Sequence, residues 1–255
     1  MASDNDTRIL VINPNSSGDM TLGMKTAVDK IVANRNIHVT YYTTPNSSPA
    51  SINNDEDIKA SDVAVYNAVS AGNPKLGEYD GILIACFSVH TLVTRLHDIS
   101  TCHSITGIFE ASISTAQLLL RPHSSEAWGI VTTGKFWEKH LEDGVRSFLG
   151  QQDGSTSRNF AGVFSTGLNA GDFHVVPAAE VEKRLRDAAT RLFRSGNIKC
   201  VVMGCAGMAG LEKIIRSTAV EVLGAEAAEG VYVVDGVVAG VLQLEEMVQC
   251  RRVFR

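Results

Sequence analysis

Asp80-Gly81-Ile82-Leu83-Ile84-Ala85-Cys86 decides how this chain is read. A turn pair opens the run, an unbroken apolar stretch follows, and a cysteine ends it. A strand buried on both faces of a parallel sheet has this character. At an offset of 119 residues, Cys200-Val201-Val202-Met203-Gly204-Cys205 repeats the scheme: Ile82 falls on Val201, Cys86 on Cys205 and Leu92 on Leu211. The same offset carries Val11-Ile12-Asn13 onto Ile130-Val131-Thr132. Two strand-to-helix turns in each half therefore match with no gap between them, and self-similarity at a fixed offset marks a repeated structural unit.

Strands and helices alternate around these anchors. Arg8-Ile9-Leu10-Val11-Ile12-Asn13-Pro14-Asn15-Ser16-Ser17 is an apolar run ending in turn and cap residues, ahead of a helix from Met20 to Val32. Val39-Thr40-Tyr41-Tyr42 reads as a second strand, Thr43 to Asn54 as a Ser-, Pro- and Asn-rich loop, and about Glu56 to Ala71 as a helix. In the second half, Trp128 to Gly134 is a strand and turn, and Gly162-Val163-Phe164 is a weaker strand. Val181, Leu185, Ala188, Ala189, Leu192 and Phe193 share one helical face, with Gly196 placed to end that helix. Gly150 to Asn159 is expected to be a mobile loop. The alternation predicts an α/β fold of two similar halves with parallel sheets and helices on both faces. The expected division is residues 1–113, 114–234, and a carboxy-terminal segment 235–255 whose helix (about Val238 to Val248) packs back on the first half.

Composition narrows the function classes. With 255 residues, 44% hydrophobic and 20% charged, the chain is too apolar to be a disordered tail. A net charge of −5 and the lack of a Lys/Arg cluster argue against a sequence-independent nucleic-acid binder. No apolar stretch reaches the ~18–20 residues of a membrane span. The polar, acidic start Met1 to Asp6 does not read as a signal peptide. A soluble cytoplasmic globule with no nucleic-acid or membrane partner is expected. The five cysteines are odd in number and lack Cys-x-x-Cys spacing, so neither a disulfide framework nor a zinc site is expected.

Cys86 and Cys205 each close an apolar strand ahead of an expected helix. Ligands of open parallel sheets bind beyond the carboxyl ends of the strands. A thiol there would meet the amino-terminal end of the next helix, whose N–H groups favour thiolate. If the halves are related by pseudo-twofold symmetry with the site between them, two thiols would flank one substrate. One would remove a proton from a carbon stereocentre and the other return one to the opposite face. The alternative is that both are small packed hydrophobes, as Cys200 inside its apolar run is expected to be. Cys102 and Cys250 have no matched partner.

These residues resemble the hydantoin and allantoin racemases of the Asp/Glu racemase superfamily. The resemblance begins at Ile12-Asn13-Pro14-Asn15-Ser16-Ser17 with Met20-Thr21, and continues at Ser48-Pro49-Ala50-Ser51-Ile52. It covers both cysteine motifs, Ala85-Cys86-Phe87 and Gly204-Cys205-Ala206-Gly207-Met208-Ala209, and ends at Asp235-Gly236-Val237. It implies two flavodoxin-like halves and cofactor-independent two-base racemisation with Cys86 and Cys205 as the acid/base pair, without a metal. It also implies a cyclic ureide substrate (allantoin or a 5-substituted hydantoin) and a homo-oligomer. The C5 proton of such a ring is acidified by the adjacent carbonyl, and the developing enolate needs hydrogen-bond donors. By position the substrate-binding candidates are Asn15, Ser48, Thr132, Thr133, and the backbone amides of Ser88 and Gly207. Ordinary caps and turns explain the same residue types.

One departure stands out. Many bacterial relatives carry a Gly-Asp-Pro-Gly-like run after the first cysteine, where this chain has Ser88-Val89-His90-Thr91. His90, as imidazolium, would favour a thiolate or contact a ureido oxygen; a packed histidine is the alternative. Glu110 sits at another strand end and either binds a substrate N–H or caps a helix. Maleate-isomerase-like relatives, which use a cysteine as nucleophile, and a ureide-binding sensor without turnover are the rival readings. Decarboxylase relatives keep only one of the two cysteines, so two retained cysteines speak against that branch.

Overall fold

The apolar runs form two parallel sheets of four strands. The computed structural model describes residues 6–151 and 159–255; the polar start of the chain and most of the expected mobile loop at Gly150 to Asn159 lie outside the described residues. In the first half the order is β1 (Thr7–Asn13), α1 (Gly18–Val32), β2 (Ile37–Thr43), α2 (Asp55–Ser70), β3 (Gly81–Ile84), α3 (Leu92–Ile99), β4 (Ile105–Gly107) and α4 (Ile108–Leu119). The second half continues with β5 (Ala127–Thr132), α5 (Phe136–Phe148), β6 (Phe160–Ser165), α6 (Asp172–Val175) and α7 (Ala178–Phe193). It is completed by β7 (Ile198–Gly204), α8 (Glu212–Leu223), α9 (Ala225–Glu229) and β8 (Tyr232–Asp235), and α10 (Gly236–Val253) follows. The chain divides into two compact units: residues up to Ala111 together with Val237–Arg255, and Ser112–Gly236.

The sheets have the same topology, β2-β1-β3-β4 in the first unit and β6-β5-β7-β8 in the second. The register between the two central strands is also the same. Ile9 pairs with Gly81 and Ile12 with Ile84; Trp128 pairs with Cys200 and Val131 with Met203. The central strands are thus 72 residues apart in both sheets. The gapless 119-residue offset requires this, and every β1–β3 pair maps onto a β5–β7 pair.

Each unit is held by the burial of its central strands under helices. Leu10, Ile12, Ile82 and Ile84 pack with Val65 of α2 and with Leu92 and Leu96 of α3. Val131, Val201 and Met203 pack with Leu185, Ala188 and Leu192 of α7 and with Ile215 of α8. Complete burial of such a side chain contributes about 1.5–3 kcal/mol. α10 closes the first unit over β3. It approaches closely enough that a Cβ on Gly240 would lie 2.4 Å from Leu83 Cδ1, so any larger residue there would have to displace the Leu83 side chain.

Element ends differ from the sequence expectation where caps decide them. Ser17 caps α1 by accepting from the Met20 amide, and Asn54 caps α2 by accepting from the Asp57 amide, so both helices start earlier than their apolar periodicity suggests. β4 is only three residues long. The strand end assigned to Glu110 is Gly107, and Glu110 itself lies in the first turn of α4. α3 begins at Leu92, well past Cys86, and a single 3-10 turn, Ala206–Met208, separates Cys205 from α8. Neither cysteine therefore abuts the α-helix expected behind it.

Candidate active site

In the first unit, the carboxyl edge of the sheet is built around Asn13, the last residue of β1. Its side-chain amide donates to the Ser17 carbonyl and the Thr21 hydroxyl, both at 3.0 Å, and its Oδ1 accepts from the Asn15 amide at 3.3 Å. This buried hub was missed from sequence, although an Asn ending a strand before a Pro-Asn turn is a recognisable signal. Asn15 is buried as well. Its Oδ1 accepts from the Ser17 amide at 2.9 Å and its Nδ2 meets Met20 Sδ at 3.2 Å, so one amide hydrogen faces a weak acceptor and a second remains. Ser48 donates to the Pro14 carbonyl at 2.5 Å, and Ser16 donates to the Pro49 carbonyl at 3.0 Å. The Ser48-Pro49 loop is thereby strapped onto the Asn-Pro-Asn loop.

Cys86 lies two residues past β3, nearly buried, with its Sγ 3.3 Å from the hydroxyl of fully buried Ser88. The Ser88 amide is turned back onto the Cys86 carbonyl at 3.0 Å, so the hydroxyl, rather than the amide proposed from sequence, is the group directed at the site. Phe87 packs edge-on against Phe109 at 5.5 Å beside this segment.

His90 takes the packed alternative. It is buried, its Nδ1 accepts from the Leu92 amide at 3.3 Å, and its Nε2 is 3.0 Å from Ser61 Oγ. Because Nδ1 is an acceptor, the ring proton sits on Nε2 and donates to Ser61, whose hydroxyl donates to the Ile58 carbonyl at 2.8 Å. Burial pushes the imidazole down to about 4, against the pull of Asp62, so it is neutral near pH 7 and offers no charge to a thiolate. Thr91 and Arg95 both donate to buried Asp62, and Arg95 lies 3.9 Å over the Tyr66 ring. The segment after Cys86 is thus clamped to α2 through Ser61 and Asp62, contacts across about thirty residues that no local pattern announces.

Glu110 folds back over the β4–α4 junction. Its carboxyl accepts main-chain N–H groups of Glu110 and Gly107, yet burial outweighs them and raises it to about 7. A Cβ on Gly107 would stand 2.4 Å from Glu110 Oε2, so glycine is what lets the carboxyl lie there. Capping, of the two options open from sequence, accounts for these contacts.

In the second unit, Thr132 ends β5 and donates to the Gly204 carbonyl at 2.9 Å, which commits its hydrogen to the residue before Cys205. Thr133 is also buried. Its carbonyl accepts from the Gly167 amide at 3.0 Å, while its hydroxyl has no hydrogen-bond partner among the described residues. Cys205 follows β7 directly, in extended conformation, and its Sγ accepts from the Gly207 amide at 3.3 Å. The Gly207 N–H considered from sequence as a substrate donor is therefore aimed at the sulfur. Burial pushes the Cys205 thiol up to about 11, although the Gly207 and Met208 amides pull the other way.

Each unit thus presents one thiol past a central strand of its sheet, and in each the sulfur's partner comes from two residues downstream. All five cysteines are free. Among the described residues, no group of three or more His, Cys, Asp or Glu is placed to hold a metal ion, and no helix is long and apolar enough to cross a membrane.

Known proteins resemble this chain along most of its length. A model of the Asp/Glu/Hydantoin racemase family matches residues 9–244. An uncharacterized protein of Schizosaccharomyces pombe is 33% identical over 95% of this chain and 92% of its own length. A hydantoin racemase of Pseudomonas sp. (strain NS671) is 30% identical over 94% of this chain and 86% of its own. The crystal structure of allantoin racemase from Pseudomonas fluorescens superposes with a TM-score of 0.75 at 24% identity, over 96% of this chain and 92% of that one. The last likeness shows the fold.

Proposed function

Because the chain belongs to the Asp/Glu/Hydantoin racemase family, we propose that it inverts the C5 stereocentre of a cyclic ureide, allantoin or a 5-substituted hydantoin, with Cys86 and Cys205 as acid and base. One thiolate takes the C5 proton. The C–H electron pair passes into the ring as an enolate on the adjacent carbonyl, and the opposite thiol protonates C5 from the other face. The two sulfurs end with their protonation states exchanged, so the next turnover runs from the other hand of the substrate. No cofactor enters the balance.

The observation that carries this reading is the equivalence of the two sulfurs, each past the same strand of a repeated sheet and each held by its second neighbour. Their environments suit complementary resting states. Cys205, pushed up to about 11, starts as the thiol that donates, which leaves the part of the base to Cys86, within 3.3 Å of the Ser88 hydroxyl. The Thr133 hydroxyl and the second Asn15 amide hydrogen are the donors left for the enolate. The test follows optical rotation and C5 deuterium uptake of each enantiomer of allantoin and of two or three 5-substituted hydantoins in heavy water. Loss of rotation with deuterium incorporation is expected for at least one ring. Exchange no faster than buffer across the panel would overturn the assignment.

A further inference from the structure

A cavity in the first unit lies at the other end of its sheet from Cys86. Its volume is about 330 Å³, within the ~300–1,000 Å³ of small-molecule sites. Asp80 and Ser104, the residues immediately before β3 and β4, form part of its wall, and the last turn of α10 forms another part.

The charges there are unbalanced. Arg251, Arg252 and Arg255 all line the cavity, against a single carboxylate, Asp80. Asp80 is already engaged: it accepts from the Arg8 amide at 2.8 Å and from the Arg8 guanidinium at 3.3 and 3.4 Å. Arg252 donates to the Asp6 carbonyl, a neutral group, at 3.0 Å. Arg251, in the last turn of α10, and Arg255, two residues past its end, form no ion pair with any described residue. The helix dipole favours a cation in the last turn, but that effect neither calls for three nor for a cavity beside them. Thr101, His103 and Tyr79 add further polar groups to the same wall.

We propose that this cavity binds a small organic oxyanion of at least two negative charges, a phosphate ester or a di- or tricarboxylate. With Asp80 already engaged by Arg8, the charge of the three guanidiniums is left to be met. The planar fork of arginine pairs with both oxyanion types through two parallel hydrogen bonds. A bound anion would also tie α10 to the starts of β3 and β4, and so would stabilise the first unit by mass action.

Calorimetric titration of the full chain with pyrophosphate and with citrate, at constant ionic strength, tests this. Saturable binding of at least one probe is expected, with a rise in melting temperature. Arg251→Gln and Arg255→Gln should each weaken binding about tenfold, the loss expected for a hydrogen bond to a charged group. Lys139→Gln, at an exposed site in the second unit, should leave it unchanged. Preference for pyrophosphate assigns the site to phosphate esters, and preference for citrate assigns it to carboxylates. Heats that fail to saturate with both probes, or affinities that survive both arginine substitutions in chains of unchanged circular dichroism, would overturn the proposal.

Discussion

The loop after β3 and the loop after β7 occupy equivalent places in a repeated sheet and hold their cysteines by different means. Ser88 and Gly207 are related by the same 119-residue offset as Cys86 and Cys205. In the first loop a side-chain hydroxyl meets the sulfur; in the second a main-chain amide does. A main-chain donor is fixed by the fold and survives most substitutions, whereas a hydroxyl donor is a choice of residue. The duplicated architecture preserves the positions of the sulfurs and leaves their electrostatic support free to diverge.

The largest effect should come from removing either sulfur. Cys86→Ser and Cys205→Ser should each lower racemisation by at least about 10³-fold, the scale of positioned acid–base catalysis. The fall in kcat/KM must be equal in both directions, because the equilibrium constant between enantiomers is one. Deuterium exchange should divide the two variants, each retaining exchange with the enantiomer that faces its remaining sulfur. A variant that racemises at a tenth of the wild-type rate would end the equivalence.

A second contrast concerns a histidine and a carboxyl buried in the first unit, neither of which has a buried titratable counterpart at the equivalent position of the second. His90 corresponds to Ala209, and Glu110 to the exposed Glu229. His90 titrates near 4 when folded and near 6.5 when unfolded, so its share of stability is complete above 6.5 and is lost as pH falls toward 4. Glu110 titrates near 7 when folded and near 4.5 when unfolded; its share is complete below 4.5 and is lost as pH rises toward 7. Between 4.5 and 6.5 the two oppose each other, each with a total of about 3 kcal/mol. Urea unfolding of Glu110→Gln should therefore show stability falling between pH 7 and 4.5 relative to wild type by about that amount, and His90→Asn should show the reverse trend. Parallel pH profiles for all three proteins would remove the compensation.

Ser88→Ala should have a smaller effect, about tenfold in kcat/KM, with the acidic limb of its pH profile moved upward because the Cys86 thiolate loses a donor. An unshifted profile would mean that the hydroxyl only packs. Smallest of all, Thr132→Val removes the bond to the Gly204 carbonyl and should lower the melting temperature by about 2–4 °C.

Much of the fold was legible because β1, β3, β5 and β7 are unbroken apolar runs, and because a gapless repeat of strand, turn and cysteine is hard to disguise. β4 was not, since Ile105-Thr106-Gly107 is too short to show a period. At the site, the positions of the cysteines could be read and their surroundings could not. The Ser61–His90 contact and the Asp62 clamp join separate helices and loops, and the partners of Gly207 N–H and Thr132 Oγ1 depend on local backbone direction. Polar groups at a strand end look alike in sequence whether they face a substrate or the protein's own main chain.

The return of α10 to the first unit has a consequence for the order of assembly. Ser112–Gly236 is continuous, so a ribosome can release a second unit whose parts are all present. The first unit lacks its cover over β3 until Gly240 and Leu244 have emerged, since these are the residues that close on Leu83 and Gly81. The half that is synthesised first is completed last, and until then β3, the strand leading to Cys86, keeps an apolar face open to solvent and to chaperones.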